Sequence, residues 1–232
     1  MTAISFFFAA FVHQLRREPG HALPYARELV ALACKEGLAQ WVTFGKIVYG
    51  WSLAMCDKPE EGIAELREGL DACQASNTSI SRPHFLAMLA EALVEAGGIP
   101  EALATLDEAL KVSELASDRY YESELYRLKG ELLWTDSGRE GRTRTRRKKQ
   151  HTPAAAAAAE ECFNRSIEIA QSQKAKWFEL RAALSLCRLH WSKGEESQVS
   201  DVLLPVYEWF TEGFFTPNLL EANEFLHLAK EY

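Results

Sequence analysis

Residues 45–70, GKIVYGWSLAMCDKPEEGIAELREGL, contain the pattern that decides the fold. Small residues lie at Gly50, Gly62 and Gly69, and apolar residues such as Leu66 lie between them at helical spacing. Two antiparallel helices approach closely only where the side chains at their crossing are small. The stretch therefore predicts a helical hairpin, with one helix around Gly50 and the other around Leu66.

The pattern of this hairpin returns at a constant offset of 40 residues. The small residue of its first helix lies at Gly50, Ala90 and Gly130, each time followed three residues later by a leucine. The second helix recurs with the same offset: Ala102 and Ala109 lie forty residues after Gly62 and Gly69. A period in this range is typical of a stacked repeat protein, in which each hairpin buries its apolar face only against its neighbours.

The repeat extends on both sides of these units. The second half of the third hairpin returns 17 residues late, starting at Ala159, and a further unit follows around Cys187. The second half of an earlier, partial unit is assigned to Ala26, Val30 and Ala33. The chain is thus predicted to form about five helical pairs. The predicted helices cover residues 3–17, 22–36, 40–56, 59–74, 81–96, 100–115, 119–135, 153–172, 176–193, 196–210 and 217–230.

The delay marks an insertion inside the third hairpin. Residues 136–153, DSGREGRTRTRRKKQHTP, hold seven basic and two acidic residues and no large apolar side chain. Because nothing in this segment can anchor it to a helical core, we expect a disordered loop that ends where Thr152 and Pro153 start the next helix. One hypothesis is that the loop binds phosphate groups of nucleic acid, nucleotide or anionic lipid, and the other is that it only joins two helices. The basic residues concerned are Arg142, Arg144, Arg146, Arg147, Lys148 and Lys149.

Length and composition favour one helical-repeat domain over residues 1–232. Of the 232 residues, 47% are hydrophobic, which suffices for a continuous core. The net charge of −7 argues against nucleic acid as the partner of the whole surface. The five cysteines are odd in number and contain no closely spaced pair, which predicts reduced, largely buried thiols and a cytoplasmic location.

The N-terminal segment, MTAISFFFAAFVHQLRRE, is rich in phenylalanine. No basic residue precedes its apolar run and the charges follow it, which is the wrong order for a secretion signal. We expect a first helix that packs on the second, with exposed phenylalanines that promote self-association. No segment is long and apolar enough to predict a membrane span.

Catalytic motifs are absent from the sequence. Gly45-Lys46 lacks the remaining residues of a phosphate-binding loop, and neither G-x-S-x-G nor HExxH occurs. The histidines and cysteines show no metal-ligand spacing. We therefore predict a protein that is not an enzyme and has no metal or cofactor, with His190 packed in the core. The spacing of Glu124, Arg127 and Glu131 predicts a ladder of ion pairs along one helix.

The hairpin pattern resembles the tetratricopeptide repeat, with small residues at its eighth, twentieth and twenty-seventh positions. The period of 40 is longer than the usual 34, which implies longer helices. The resemblance implies an all-α, right-handed superhelical solenoid of about five hairpins. A C-terminal helix from about Pro217 is expected to close it, seated by Phe214 and Phe215.

A narrower resemblance covers nearly the full length. The stretches YGWSLAMCDKPEEGIAELREGL, RPHFLAMLAEALVEAGGIPEAL and WFTEGF are similar to the C-terminal repeat region of large bacterial signalling proteins. Those proteins combine a class III adenylate or guanylate cyclase domain, or a DNA-binding domain, with a signal-transduction ATPase. No nucleotide-binding motif of the ATPase occurs here, so its activity is not transferred.

The tetratricopeptide resemblance also implies where a partner binds. The first helix of each hairpin lines the concave surface of such arrays, and aromatic and arginine side chains there are typical of binding hot spots. The tryptophans can instead pack between helices, and a tryptophan can do both. The positions expected to be exposed in the groove are Phe44, Ile47, Trp51, His84, Glu91, Glu95, Arg127, Glu131, Trp134, Arg181, Arg188 and Trp191.

The sequence thus favours a non-catalytic scaffold that binds a protein or peptide in bacterial signal transduction. A ligand-sensing fragment of a larger cyclase or ATPase protein is one alternative. Nucleic-acid binding through the basic insertion is another, and deletion of residues 139–150 distinguishes it because only salt-sensitive nucleic-acid affinity should be lost.

Overall fold

The computed structural model describes residues 2–76, 81–140 and 152–229 of the chain. The described residues form eleven α-helices and no strand, which confirms the predicted all-α class. The helices are α1 (Ala3–Leu15), α2 (Pro19–Lys35), α3 (Ala39–Met55), α4 (Pro59–Ala75), α5 (Arg82–Glu95), α6 (Ile99–Ala116), α7 (Glu122–Glu140), α8 (Pro153–Ser172), α9 (Lys176–Lys193), α10 (Ser197–Tyr207) and α11 (Pro217–Leu228).

Proline and glycine set several of the helix ends. Pro59 occupies the first turn of α4, where a missing amide donor costs nothing because that donor has no partner inside the helix. Gly97 and Gly194 follow α5 and α9 with positive φ angles of 82° and 76°. Glycine adopts this left-handed conformation without strain and so ends a helix. Thr152 caps α8 by accepting a hydrogen bond from the Ala155 amide at 3.2 Å.

The helices pack as antiparallel hairpins in two compact units, Met1–Asp118 and Arg119–Tyr232. In unit 1, α1 pairs with α2, α3 with α4 and α5 with α6, while α2 packs on α3 and α4 packs on α5. In unit 2, α7 pairs with α8 and α9 with α10, and α11 packs on α9 and α10. The first helices of successive hairpins also contact each other, α1 with α3 with α5, and α7 with α9 with α11.

Close approach at small residues holds the hairpins together. A Cβ atom added to Gly50 would lie 2.6 Å from the Gly62 carbonyl oxygen of α4, well inside contact distance. A Cβ added to Gly130 would lie 2.6 Å from the Phe163 ring of α8. The crossing of helices at glycine, predicted from the repeat, is therefore confirmed.

The 40-residue register extends further towards the N-terminus than the sequence pattern indicated. Ala10 of α1 is fully buried and lies forty residues before Gly50. In α2 the buried residues are Ala22, Ala26, Leu29 and Ala33. These stand forty residues before Gly62, Leu66, Gly69 and Cys73, all buried in α4. The sequence-based choice of Val30 as the inward apolar residue was wrong, because Val30 is only half-buried.

Two expectations about the second half of the chain need correction. Helix α7 continues to Glu140, five residues into the segment assigned to the insertion, while residues 141–151 lie outside the described part of the chain. Phe215 does not seat the final helix, because 80% of it is exposed. Leu219 and Leu226 of α11 attach it instead, by packing into a core shared with α9 and α10.

Candidate functional site

The expected groove residues of unit 1 are mostly buried. Trp51 and His84 have no exposed surface, and Phe44, Ile47 and Glu91 are also buried, so their predicted exposure was wrong. Aromatic side chains of α1 cover them: the ring centroid of Phe7 lies 5.6 Å from that of Phe44, and the centroid of Phe11 lies 4.9 Å from that of His84. Of the expected set in this unit, Glu95 alone is exposed.

Polar contacts reinforce this closure. Gln14 Oε1 of α1 lies 3.0 Å from the His84 Nε2 atom of α5. Trp51 Nε1 donates to Glu91 Oε2 at 2.8 Å, and Arg17 forms an ion pair with the same carboxylate. The Arg17 guanidinium also lies 5.6 Å from the centroid of the Trp51 ring, which is cation–π distance. The candidate residues of unit 1 therefore join three first helices to one another.

In unit 2 the predicted ion-pair ladder is confirmed and extends beyond one helix. The Arg127 Nε atom donates to Glu124 Oε1 at 3.0 Å, and Arg127 Nη1 lies 2.7 Å from Glu131 Oε1. Arg181 of α9 adds a second cation, 2.8 Å from Glu124 Oε2. Glu124, Arg127 and Arg181 are buried, contrary to the exposed positions expected for the two arginines. These arginines therefore neutralise a buried carboxylate inside the protein.

Glu131 links this buried ladder to the surface. Burial alone would raise the pKa of its carboxyl group, but nearby Arg127, the hydroxyl of Ser185 and Arg188 together lower that pKa to about 2. The Ser185 Oγ atom donates to Glu131 Oε1 at 2.8 Å. Glu131 thus carries a negative charge over the whole physiological pH range, with about a third of its side chain exposed.

Arg188 lies at the accessible end of the ladder. Its Nε and Nη2 atoms donate to the two carboxylate oxygens of Glu221 in α11, each at 2.7 Å. Its Nη1 atom lies 3.4 Å from Glu131 Oε1. The arginine therefore bridges α7 and α11 while 45% of its side chain stays exposed. Such a side chain can form a further hydrogen bond to a ligand without being extracted from the core.

Two tryptophans lie one helical turn from residues of the ladder: Trp191 follows Arg188 by three residues in α9, and Trp134 follows Glu131 by three in α7. Trp134 of α7 packs on the cluster that joins α8 and α9, and Trp191 of α9 lies 5.8 Å from the Phe225 ring of α11. Each ring is partly buried and partly exposed. We call this surface the α7–α9–α11 face. Its residues are Glu131, Trp134, Arg188, Trp191, Glu221 and Phe225. Glu221 and Phe225 belong to a helix that the sequence-based site did not include, although the pattern predicted the helix itself.

The described residues also bear on the metal, membrane, histidine and cysteine predictions. No group of His, Cys, Asp and Glu side chains there could hold a metal ion, and no helix in that part of the chain could cross a membrane. His190 is buried with its Nδ1 atom 2.8 Å from Glu195 Oε2, as expected of a packed core histidine. Cys73 and Cys187 are buried as expected, whereas Cys34 is exposed.

An open cleft of about 950 Å³ runs along α7 and α8. Its lining mixes aliphatic and charged side chains and includes Tyr126, Leu133, Glu161, Cys162 and Arg165.

Comparison with solved structures identifies the fold. A putative kinesin light chain from Podosopora anserina, with nearly identical TPR-like repeats, is 14% identical at a TM-score of 0.55, over 88% of this chain and 92% of that one. The apo form of RapI is 15% identical at a TM-score of 0.58, over 99% and 82%. A Rap protein complexed with Competence and Sporulation Factor is 13% identical at a TM-score of 0.61, over 99% and 64%.

No protein-family model and no curated protein matches the sequence. The structural matches are 13% to 15% identical to the chain in sequence, so they show its fold and nothing further. The observed crossings at Gly50 and Gly130 lie at the positions predicted from the 40-residue repeat. The chain therefore has a tetratricopeptide-like helical-repeat fold.

Proposed function

We propose that this protein is a non-catalytic scaffold that binds a protein or peptide through the α7–α9–α11 face. The observation that carries the proposal is the position of Arg188, bridged to two carboxylates yet 45% exposed, on the same helices as the partly exposed Trp134 and Trp191. Tryptophan and arginine are the residue types most enriched among binding hot spots. A tryptophan held by its buried edge also loses little conformational freedom when a partner covers the rest.

The chemistry of the face suits an extended segment or a helix with one apolar anchor and polar groups beside it. An aromatic or aliphatic side chain of the partner would pack on the Trp191 and Phe225 rings. A carboxylate of the partner would meet Arg188, and a basic side chain would meet Glu131 or Glu221. The face therefore selects for a pattern of side chains rather than for net charge.

The fold similarity supports the same class of function. One similar protein, a Rap protein, was solved in complex with Competence and Sporulation Factor, and by analogy we place this chain among repeat proteins that recognise a polypeptide. A role in cytoplasmic bacterial signal transduction, and the link to a larger cyclase or ATPase protein, belong to the same proposal. They rest on the sequence resemblance described above.

The proposal is tested by selecting binders from a random peptide library displayed on phage. Enriched peptides are synthesised and titrated against the intact chain, Arg188→Ala and Trp191→Ala. Matched controls are Arg165→Ala and Trp209→Ala, which remove a half-exposed arginine and an exposed tryptophan of the same unit outside the face. Removal of a hot-spot side chain should weaken binding about tenfold or more, and the controls should bind as the intact chain does.

Equal helicity of all variants by circular dichroism is required before their affinities are compared. If no sequence motif is enriched, or if enriched peptides bind Arg188→Ala and Trp191→Ala as well as the intact chain, the face is not the recognition site.

A further inference from the structure

We propose that the polypeptide bound at the α7–α9–α11 face presents a basic side chain, arginine or lysine, whose cation lies against the Glu221 carboxylate and the rings of Trp191 and Phe225. This inference rests on the proposed function, because it names the chemistry that the same face recognises. Two kinds of charged side chain could meet the face, a carboxylate at Arg188 or a cation at the acidic residues. The arrangement of the face in two layers favours the cation.

The first layer is a row of three charges across the three helices. Arg188 of α9 lies at its centre, with Nη1 3.4 Å from Glu131 Oε1 of α7 on one side and Nε 2.7 Å from Glu221 Oε1 of α11 on the other. The two outer residues are both acidic, and 34% and 32% of their side chains are exposed. With two negative charges and one positive, the row carries a net negative charge.

The second layer is aromatic and lies one helical turn further along the same helices. The 57 residues that separate the paired charges of α7 and α9 also separate Trp134 from Trp191. In α11, Phe225 follows Glu221 by four residues, and its ring centroid lies 5.8 Å from that of Trp191. Each of the three rings is partly exposed. A side chain bound at the charged row therefore has aromatic rings about 5 Å away along the helix axes.

A cation gains from both layers. Two N–H groups of Arg188 fill one acceptor position on each Glu221 carboxylate oxygen, at 2.7 Å, and each oxygen can accept a second hydrogen bond. A lysine or arginine of the partner can therefore bind the outer side of this carboxylate while Arg188 stays paired. The negatively polarised faces of the aromatic rings attract the same cation.

A carboxylate gains less at the same place. It would reach Arg188 only between Glu131 and Glu221, whose negative charges oppose it. The faces of the Trp191 and Phe225 rings repel an anion for the same reason that they attract a cation. Charge complementarity therefore favours a basic residue in the bound segment.

The test uses the full chain and phage-displayed peptides that are random except at one central position, fixed as Arg, Gln or Glu in three parallel libraries. Recovery from each library is counted after selection on the intact chain and on Trp191→Ala. We expect the Arg library to yield about tenfold more binders that depend on Trp191 than the Glu library, with the Gln library between them.

The outcomes separate this inference from the proposed function. If no library yields binders that depend on Trp191 or Arg188, the proposed function fails and this inference fails with it. If the Glu or Gln library yields such binders as well as the Arg library does, the face binds a polypeptide and only this inference is wrong.

An enriched Arg peptide and its Gln analogue then test the contacts themselves. Both are titrated by fluorescence anisotropy against the intact chain, Glu221→Gln and Phe225→Leu, once circular dichroism shows equal helicity. The matched control is Glu212→Gln, which removes one negative charge at an exposed position of the same unit outside the face and so changes the net charge equally.

We expect Glu221→Gln to weaken binding of the Arg peptide about fivefold or more, and binding of the Gln analogue less than about twofold. Phe225→Leu keeps an apolar side chain but removes the ring, and it should weaken the Arg peptide about twofold or more. Glu212→Gln should leave both affinities unchanged. Equal weakening of both peptides by Glu221→Gln would overturn the inference, because Glu221 would then act only by holding Arg188.

Discussion

Gly50 shows how one hydrogen atom in place of a methyl group sets the distance between two helices. Its replacement by alanine places a Cβ 2.6 Å from the Gly62 carbonyl oxygen, which is backbone and cannot rotate away. We expect Gly50→Ala to lower the free energy of unfolding by about 1–3 kcal/mol, measured by urea denaturation.

Gly20→Ala is the matched control, because a Cβ at Gly20 in the first turn of α2 meets nothing within 4 Å. It should leave stability unchanged or raise it by about 0.5–1 kcal/mol, since alanine restricts the unfolded chain. Equal destabilisation by both substitutions would contradict the packing argument.

Glu131 makes a pH-dependent contribution to stability. Its pKa in the folded protein is about 2, below the ordinary value of 4.5, so its stabilising effect is complete above pH 4.5 and is lost as the pH falls towards 2. We expect Glu131→Gln to lose less stability than the intact protein between pH 5 and pH 3, measured by thermal unfolding. The exposed residue Glu212 provides the control Glu212→Gln, which should follow the intact protein. Parallel pH profiles for Glu131→Gln and the intact protein would refute this role.

At the scale of helices, Arg17 in the turn after α1 fastens the end of that helix to α5. It pairs with Glu91, a carboxylate that is only 7% exposed and also accepts the Trp51 indole hydrogen bond. Without the Arg17 guanidinium, the buried negative charge of Glu91 keeps the Trp51 hydrogen bond but loses this ion pair. Arg17→Ala should therefore lower the free energy of unfolding by about 1–3 kcal/mol. Hydrogen exchange should speed up in α1 and α5. Arg16→Ala, which breaks a partly exposed pair with Glu18, should cost less than about 1 kcal/mol. A larger cost for Arg16→Ala than for Arg17→Ala would exclude the proposed fastening.

The helices themselves were largely predictable, whereas the accessible face was only partly so. Small residues such as Gly50 and Gly130 mark where a first helix crosses the second helix of its own hairpin, and this pattern repeats every 40 residues along the sequence. The burial of Trp51 depends instead on how closely α1 approaches α5, two hairpins away, where Phe11 meets His84. No local pattern encodes that distance. In unit 2 the predicted groove remains accessible around Arg188, whose side chain is 45% exposed.

For the whole molecule, the excess of acidic over basic residues argues against nucleic-acid binding. With a net charge of −7, the chain should not retard double-stranded DNA in a gel shift at about 150 mM salt, near the physiological ionic strength. The comparison is the same assay at low salt, where the attraction between DNA phosphates and the basic residues between 142 and 149 is screened least. Retardation at the higher salt that disappears on deletion of residues 139–150 would favour the hypothesis and contradict this prediction.

The constant spacing of Ala10, Gly50 and Ala90 also has a consequence for how such a chain can change over evolutionary time. Each lies at the same point of a hairpin, and every junction in unit 1 joins a second helix to the next first helix. An in-frame duplication or loss of 40 codons adds or removes one whole hairpin. The hairpins on either side then still meet through a second helix and the following first helix. A change of another length inside one of these helices moves the small residue off the crossing, whereas the segment between α7 and α8 holds 17 extra residues and Gly130 still meets Phe163. Selection on the helix crossings therefore favours the gain or loss of whole hairpins and confines other length changes to the connecting segments.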